Sequence, residues 1–302
     1  MNATNDMTPS LLTPDWEDYE LIDCGEFEKL ERFGNRMTVR PEPQAIWRKS
    51  LPDTEWERLA GAVFRKDNAS EERGRWLLKP GMPEQWRISY RYKTMALTLR
   101  LGLTSFKHVG VFPEQAENWN FIYDTVTEQK LRYGHAPRIL NLFAYTGGAS
   151  LAACCAGADV THVDSVRQVV SWSRENMEAS GLSGIRWVIE DALKFVKREV
   201  RRGKSYDGII LDPPAYGRGP EGEKWVLEQN IGEMLECCSQ LLAGHGSFLV
   251  LNLYSMGLSA LLAKSIAGQL FPRPEHEQFG ELFFYDRAEK TLPLGVFYRA
   301  EY

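Results

Sequence analysis

Two patterns of apolar spacing divide the chain. In the second half, short and mostly apolar runs at Ile139 to Phe143, Asp159 to Asp164, Ile185 to Ile189, Tyr206 to Asp212 and Gly246 to Tyr254 have the character of strands covered on both faces. Helical spacing separates them. Small helix formers fill Ala149 to Ala156, and Val166, Val169, Val170, Ser173 and Met177 share a face that stops at Gly181. Ala192 to about Arg202 is a further helix, and Trp225 to Leu242 a long one. Strands alternating with helices predict an α/β fold with a doubly wound, mostly parallel sheet. Gln278 to Tyr285 and Leu294 to Tyr302 break the rhythm and predict an antiparallel terminal hairpin.

Before about Thr104 the runs are shorter and richer in aromatic and β-branched residues. Ala45 to Lys49, Ala62 to Lys66 and the alternating Trp86 to Tyr92 stand out as strands, punctuated by Pro41, Pro43, Pro52, Pro80 and Pro83. The division expected is a disordered tail over 1–14, a small β-rich α+β domain over 15–105 and a catalytic domain over 106–302. In the last strand Arg87, Arg91 and Lys93 fall on the face opposite Trp86, Ile88, Tyr90 and Tyr92. Basic residues beside aromatics suit stacking and phosphate contact, and equally suit a solvated outer face. A helix from about Trp119 to Tyr133 leads into the second half.

Composition changes this picture little. A chain of 302 residues, 43% hydrophobic and 25% charged, has the make-up of a globular protein with a substantial core. No apolar stretch reaches the roughly 20 residues of a membrane span, and Met1 to Pro14 lacks a signal-peptide core, so a cytoplasmic location is expected. The five cysteines, Cys24, Cys154, Cys155, Cys237 and Cys238, have neither metal-ligand nor disulfide spacing, so no metal is expected, and the lack of a long apolar stretch argues likewise against a membrane partner. A net charge of −5 does not mark a nucleic-acid binder, although charge can be segregated by face.

The candidate chemistry collects at strand ends, where doubly wound sheets bind ligands. Asn141, Phe143, Ala144, Tyr145, Thr146, Gly147 and Gly148 form a strand-to-helix turn whose glycines let backbone approach a ligand. Asp164 lies roughly 20 residues beyond the glycines, the distance at which an acid can bond ribose hydroxyls. Glu190 and Asp191 end the next strand. Asp191 is placed either to cap the following helix or to hold an adenine amino group. After the fourth strand comes Asp212-Pro213-Pro214-Ala215-Tyr216. Two prolines stiffen the strand exit and fix the carboxylate, and Tyr216 offers a ring for a planar substrate.

At these residues the chain resembles the class I S-adenosylmethionine-dependent methyltransferases, and most closely the branch that methylates bases of large-subunit ribosomal RNA. The approach segment Gly110 to Asn118 resembles that branch's Gly-x-Phe-x-Asp-Gln-Arg-x-Asn, with Ala116 in place of the arginine. The resemblance implies a Rossmann-like seven-stranded sheet and S-adenosyl-L-methionine as cofactor. It implies cofactor contacts from Gln115, Asn118, the 141–148 turn, Asp164, Ser165, Glu190, Asp191 and Asp212. Asp212, Pro213, Pro214 and Tyr216 would form the catalytic set. Tyr216, Tyr254, Arg87, Arg91 and Lys93 would contact substrate. RNA, ribosomal in the first instance, is the expected partner, and oligomeric state stays open. The alternatives are a non-RNA substrate, a C5-cytosine methyltransferase, or a non-catalytic RNA-binding module using the basic stripe Lys194 to Lys204. A dinucleotide oxidoreductase would need Gly-x-Gly-x-x-Gly at the first turn, which Tyr145 to Ser150 lacks. A cysteine that could attack C6 of a pyrimidine is absent after the fifth strand, where Asn252-Leu253-Tyr254-Ser255 stands, so a nitrogen target is expected.

Overall fold

The computed structural model describes residues 8–67, 73–254 and 257–302. Its first element, β1 (Ser10–Leu12), belongs to the large sheet. A five-stranded sheet follows, ordered β2 (Tyr19–Gly25), β3 (Glu28–Phe33), β4 (Arg36–Pro41), β5 (Ala62–Lys66) and β6 (Gly74–Leu78). Helix α1 (Asp53–Leu59) makes the crossover that lets β4 and β5 run parallel. Its Trp56 packs with Ile22, Leu30 and Val39, and the indole N–H donates to the buried carboxylate of Asp23 at 2.8 Å. The run Ala45 to Lys49, expected as a strand, is irregular. The backbone N–H groups of Glu26 and Phe27 donate to the carbonyl oxygens of Trp47 and Ala45, which pins this run to the β2–β3 corner instead of a ladder.

Strands β7 (Gln85–Tyr92) and β8 (Met95–Gly102) form a hairpin that pairs with no other strand among the described residues. Their inner face, including Ile88, Tyr90, Leu97 and Leu99, shares a core with Trp119 and Ile122 of α2 (Ala116–Tyr133) and Leu151 of α3 (Gly148–Cys155). The hairpin therefore packs with the residues that follow it, and carries Leu99 to the site described below.

The large sheet is built from β9 (Arg138–Leu142), β10 (Asp159–Asp164), β11 (Arg186–Ile189), β12 (Gly208–Leu211), β15 (Phe248–Leu253), β16 (His276–Tyr285) and β17 (Thr291–Glu301), in the order β16-β17-β15-β12-β9-β10-β11. The strands from β15 to β11 are parallel and β17 is antiparallel to both neighbours. These are the seven strands expected. An eighth, β1, adds parallel to the outer edge of β16. Ser10–Leu12 thus corrects the expectation of a disordered tail over 1–14, and residues 1–7 lie outside the described residues. An unpaired strand edge offers free N–H and C=O groups. Gly280 leaves room for the new strand, since a Cβ there would collide with the carbonyl oxygen of Ser10.

Helices cover both faces. Ile139, Ile210 and Val250 point to the side of α2 and α3. Leu140, Ile209, Leu211, Leu249 and Leu251 point to the other side, under α5 (Ala192–Arg201), α6 (Leu227–Leu241) and α7 (Ala260–Leu270). This strict alternation is why the runs look continuously apolar in sequence. Truncating Leu140 or Phe195 in this layer should cost about 2–5 kcal/mol. Helix α4 (Arg167–Ala179) packs beside β8. A short hairpin, β13 (Tyr216–Arg218) and β14 (Lys224–Val226), follows β12. It takes Trp225 out of the long helix expected there.

Candidate functional site

A cleft opens at the carboxyl ends of β9, β12 and β15. Gln115, Asn118, Trp119, Asn141, Phe143, Ala144, Tyr145, Thr146, Gly147, Gly148, Asp212 and Asn252 are among its lining residues. Every one of Gln115, Asn118, the expected residues of the 141–148 turn and Asp212 is therefore brought to one place. The turn is strained: Phe143 and Tyr145 take φ of 55° and 48°, and Gly147 takes 93°. Gly148 faces the indole of Trp119, which a Cβ would strike, so α2 closes directly over the turn. The strain is held by side chains behind the loop. Ser173 Oγ donates to the carbonyl of Tyr145 at 2.6 Å, Asn176 Nδ2 to that of Thr146 at 2.9 Å, and Thr146 Oγ1 to that of Gly110 at 2.7 Å. Asn141 Nδ2 donates to Ser150 Oγ at 2.9 Å within the same buried layer.

Asp164 ends β10 beside this turn. Its carboxylate accepts from the backbone N–H of Tyr145 at 3.0 Å and of Val166 at 2.9 Å. Burial raises its pKa, and backbone N–H groups of Val166, Tyr145 and Ser165 oppose that rise. Asp191 is the N-cap of α5, accepting from Lys194 N at 2.8 Å, which gives its capping role a geometry. Glu190 is ion-paired with Arg198. Asp164 itself, like Ser165, Glu190 and Asp191, stands outside the lining of the cleft, joined to it through the Tyr145 backbone.

Asp212 is reached from the other side. Asn252, at the end of β15, donates Nδ2 to Asp212 Oδ1 at 2.7 Å, while its own buried Oδ1 has no partner among the described residues. Burial pushes Asp212 up to about 6, against the pull of that single hydrogen bond. The loop is braced by Trp225, whose indole N–H donates to the carbonyl of Pro214 at 2.7 Å and whose ring packs on Phe143 at 4.8 Å. This contact ties the Asp212–Pro214 exit to the 141–148 turn. Glu114, buried next to Gln115, is pushed up to about 7 chiefly by burial, with Lys29 and Arg40 of the N-terminal sheet pulling it down and Asp212 adding to the rise.

Other expected residues fall elsewhere. Pro213 is buried, and Pro214 and Tyr216 are exposed, with Tyr216 accepting from Arg218 Nε at 3.2 Å instead of facing the cleft. Tyr254 is set back against Phe112, and its hydroxyl donates to Glu42 at 3.4 Å. Arg87 and Arg91 stand on the solvent face of the β7–β8 hairpin, and Lys93 sits in its turn, paired with Asp124 at 2.6 Å. None of these lines the cleft. Sequence reasoning missed Asn252, Trp225, Glu114 and Leu99 as contributors. Asn252 carried a usable signal, a polar residue ending a buried strand. Leu99 and Trp225 arrive only through tertiary packing.

A parallel sheet with a strained glycine turn after its first strand, an acid after its second and Asp212-Pro213-Pro214 after its fourth defines a methyltransferase of the Rossmann-like class. The cleft is lined by polar as well as apolar groups, which suits a ligand that carries both. The Asp212 carboxylate and the glycine-turn backbone supply acceptors and donors for its polar groups. A family model for S-adenosylmethionine-dependent methyltransferases matches residues 62–269, and the chain belongs to that family. It is similar to the crystal structure of the S-adenosylmethionine-dependent methyltransferase from Agrobacterium tumefaciens. The two are 36% identical with a TM-score of 0.87 over 97% of this chain and 93% of that one. Among curated relatives, ribosomal RNA large subunit methyltransferase K/L of Shewanella frigidimarina is 29% identical over 51% of this chain. Ribosomal RNA large subunit methyltransferase I of Aeromonas salmonicida is 30% identical over 55% of it. The chain spans 21% and 42% of the length of those two relatives. It is a methyltransferase that uses S-adenosylmethionine. No helix among the described residues is long and apolar enough to cross a membrane.

Proposed function

We propose that the protein methylates a base nitrogen of RNA, ribosomal RNA in the first instance, in the cytoplasm. Asp164 and Asp191 would hold the cofactor's nucleoside end, and Gln115 and Asn141 its amino-acid end. When bound, S-adenosylmethionine supplies an electrophilic methyl group on a sulfonium. The chain's part is to hold the nucleophile in line, dry and oriented, so proximity carries most of the rate. Asp212 provides a carboxylate at the cleft, held by the Asn252 amide, that accepts N–H bonds from a base amino group. Once the nitrogen has bonded to the methyl it must shed a proton, and the Asp212 carboxylate can receive it.

The observation that carries the reading is the Asp212 carboxylate at the cleft, with no thiol beside it. Among the described residues lining the cleft there is no cysteine. Cys24 is fully buried and held against Asp286, and Cys154, Cys155, Cys237 and Cys238 sit within α3 and α6, away from the strand ends. Burial pushes the Cys24 thiol up to about 12, the reverse of an activated nucleophile. The ribosomal RNA relatives support the substrate class. Mass spectrometry of nucleosides in ribosomal RNA from cells with and without the protein tests it. Loss of an N-methylated nucleoside is expected, and loss of 5-methylcytidine would overturn the nitrogen target.

A further inference from the structure

We propose that Arg299, on the C-terminal strand β17, is a positioning residue that turns the side-chain N–H₂ of Gln115 into the cleft as a donor for the cofactor's carboxylate. This rests on the cofactor placement proposed above. The argument is one of hydrogen-bond polarity. A guanidinium can only donate. Arg299 Nε meets Asn118 at 2.8 Å, so the Asn118 atom it meets is the amide oxygen. The other end of that amide is then an N–H₂ group, and it donates to Gln115 Oε1 at 2.7 Å. What remains of Gln115 is its own N–H₂, on a residue that lines the cleft. Shape alone cannot tell an amide's oxygen from its nitrogen. Here a third group, unable to accept, sets both amides.

The surroundings suit an anion. Arg299 is 4% exposed, and the acceptors of its hydrogen bonds are amide oxygens, of Asn118 and of Gln278 at 3.3 Å, not carboxylates. Burial lowers its pKa to about 10, which leaves it charged at neutral pH, with Glu117 the carboxylate that opposes the shift. Its positive field therefore lies behind Asn118 and Gln115. The acids at the ends of β10 and β11 occupy the other side of the glycine turn, where they suit the ribose and adenine. The amino-acid end is left with the wall that carries Gln115, Asn118 and Asn141.

The test is calorimetric, on the full chain. It titrates S-adenosylhomocysteine against 5′-methylthioadenosine, which keeps the nucleoside and thioether and lacks the amino-acid end. Gln115→Glu replaces the donor with an acceptor, and Arg299→Met removes the anchor. Each should weaken S-adenosylhomocysteine about tenfold or more, the range of a hydrogen bond to a charged group. Methylthioadenosine binding should not change, and Arg299→Lys should recover part of the loss. If Arg299→Met does not fold, Asn118→Asp serves in its place: it still accepts from Arg299, cannot donate to Gln115, and should show the same selective loss. Unchanged S-adenosylhomocysteine affinity in Gln115→Glu, or equal weakening of both ligands, would overturn the proposal. Asp164→Ala reports separately on the nucleoside placement, because it should weaken both ligands together.

Discussion

Asp164 and Asp212 occupy equivalent places, at the carboxyl ends of strands flanking β9, yet the structure equips them differently. Asp164 is held by backbone N–H groups, which are part of the fold and cost little further ordering. Asp212 has one side-chain amide, that of Asn252, and is otherwise buried without compensation, so its pKa climbs to about 6. The first arrangement makes a fixed acceptor. The second makes a carboxylate whose charge can change during turnover near neutral pH. Under the proposed function, one fold position serves binding on one strand and proton chemistry on another, and the number of donors facing each carboxylate sets the two apart.

The largest effect that would break this contrast is at Asp212. Asp212→Ala should lower kcat by about a hundredfold or more, the scale of a positioned acid–base group. Affinity for S-adenosylhomocysteine should change little, and single-turnover kinetics with calorimetry separates the two. Asp164→Ala should do the reverse, losing about 1.5–3 kcal/mol of cofactor affinity with a smaller effect on the chemical step. Equal losses of both kinds in either variant would erase the distinction.

A pH profile sharpens the comparison. Below about pH 6 Asp212 carries its proton and cannot accept one, so kcat/KM should rise with pH through that value. Asn252→Leu removes the N–H that favours the charged form, so the midpoint should move upward. A profile flat between about pH 5 and 8, a window that spans the Asp212 value, would show that this carboxylate does not titrate in the reaction. The smallest effect concerns RNA. If Arg87 and Arg91 touch phosphate, replacing both with Ala should reduce the salt slope of RNA affinity by roughly 0.7 to 0.9 for each phosphate no longer neutralised. An unaltered slope would remove the β7–β8 hairpin from the substrate surface.

Much of the architecture was legible in sequence because it rests on local periodicity. The buried runs at Arg138–Leu142, Asp159–Asp164 and Phe248–Leu253 and the helical face of Val166 to Met177 each announce their element within one window. Glycine and proline marked the turns at Gly147 and Pro213 for the same reason, since backbone freedom is a property of the residue itself. The positions of the 141–148 turn and Asp212 followed from the rule that such sheets bind at strand ends, and those of Gln115 and Asn118 from the resemblance of the approach segment to the family motif.

Residues whose role depends on distant partners were not legible. Ser10–Leu12 is too short to signal a strand, and becomes one because β16 presents an open edge with Gly280 opposite. Tyr216 and Tyr254 looked like substrate contacts from their places in sequence, but the β13–β14 hairpin turns the first outward and Glu42 draws the second back. Lys93 is taken up by Asp124. The sequence by itself therefore determined the alternating strands and helices, the glycine turn and the family, all set by short-range pattern. Only the tertiary structure decided which polar atoms meet: Asn252 on Asp212, Trp225 on Pro214, and Arg299 through Asn118 on Gln115. The bonds of Asn252 to Asp212, 40 residues apart, and of Arg299 to Asn118, 181 apart, depend on geometry that no local window contains.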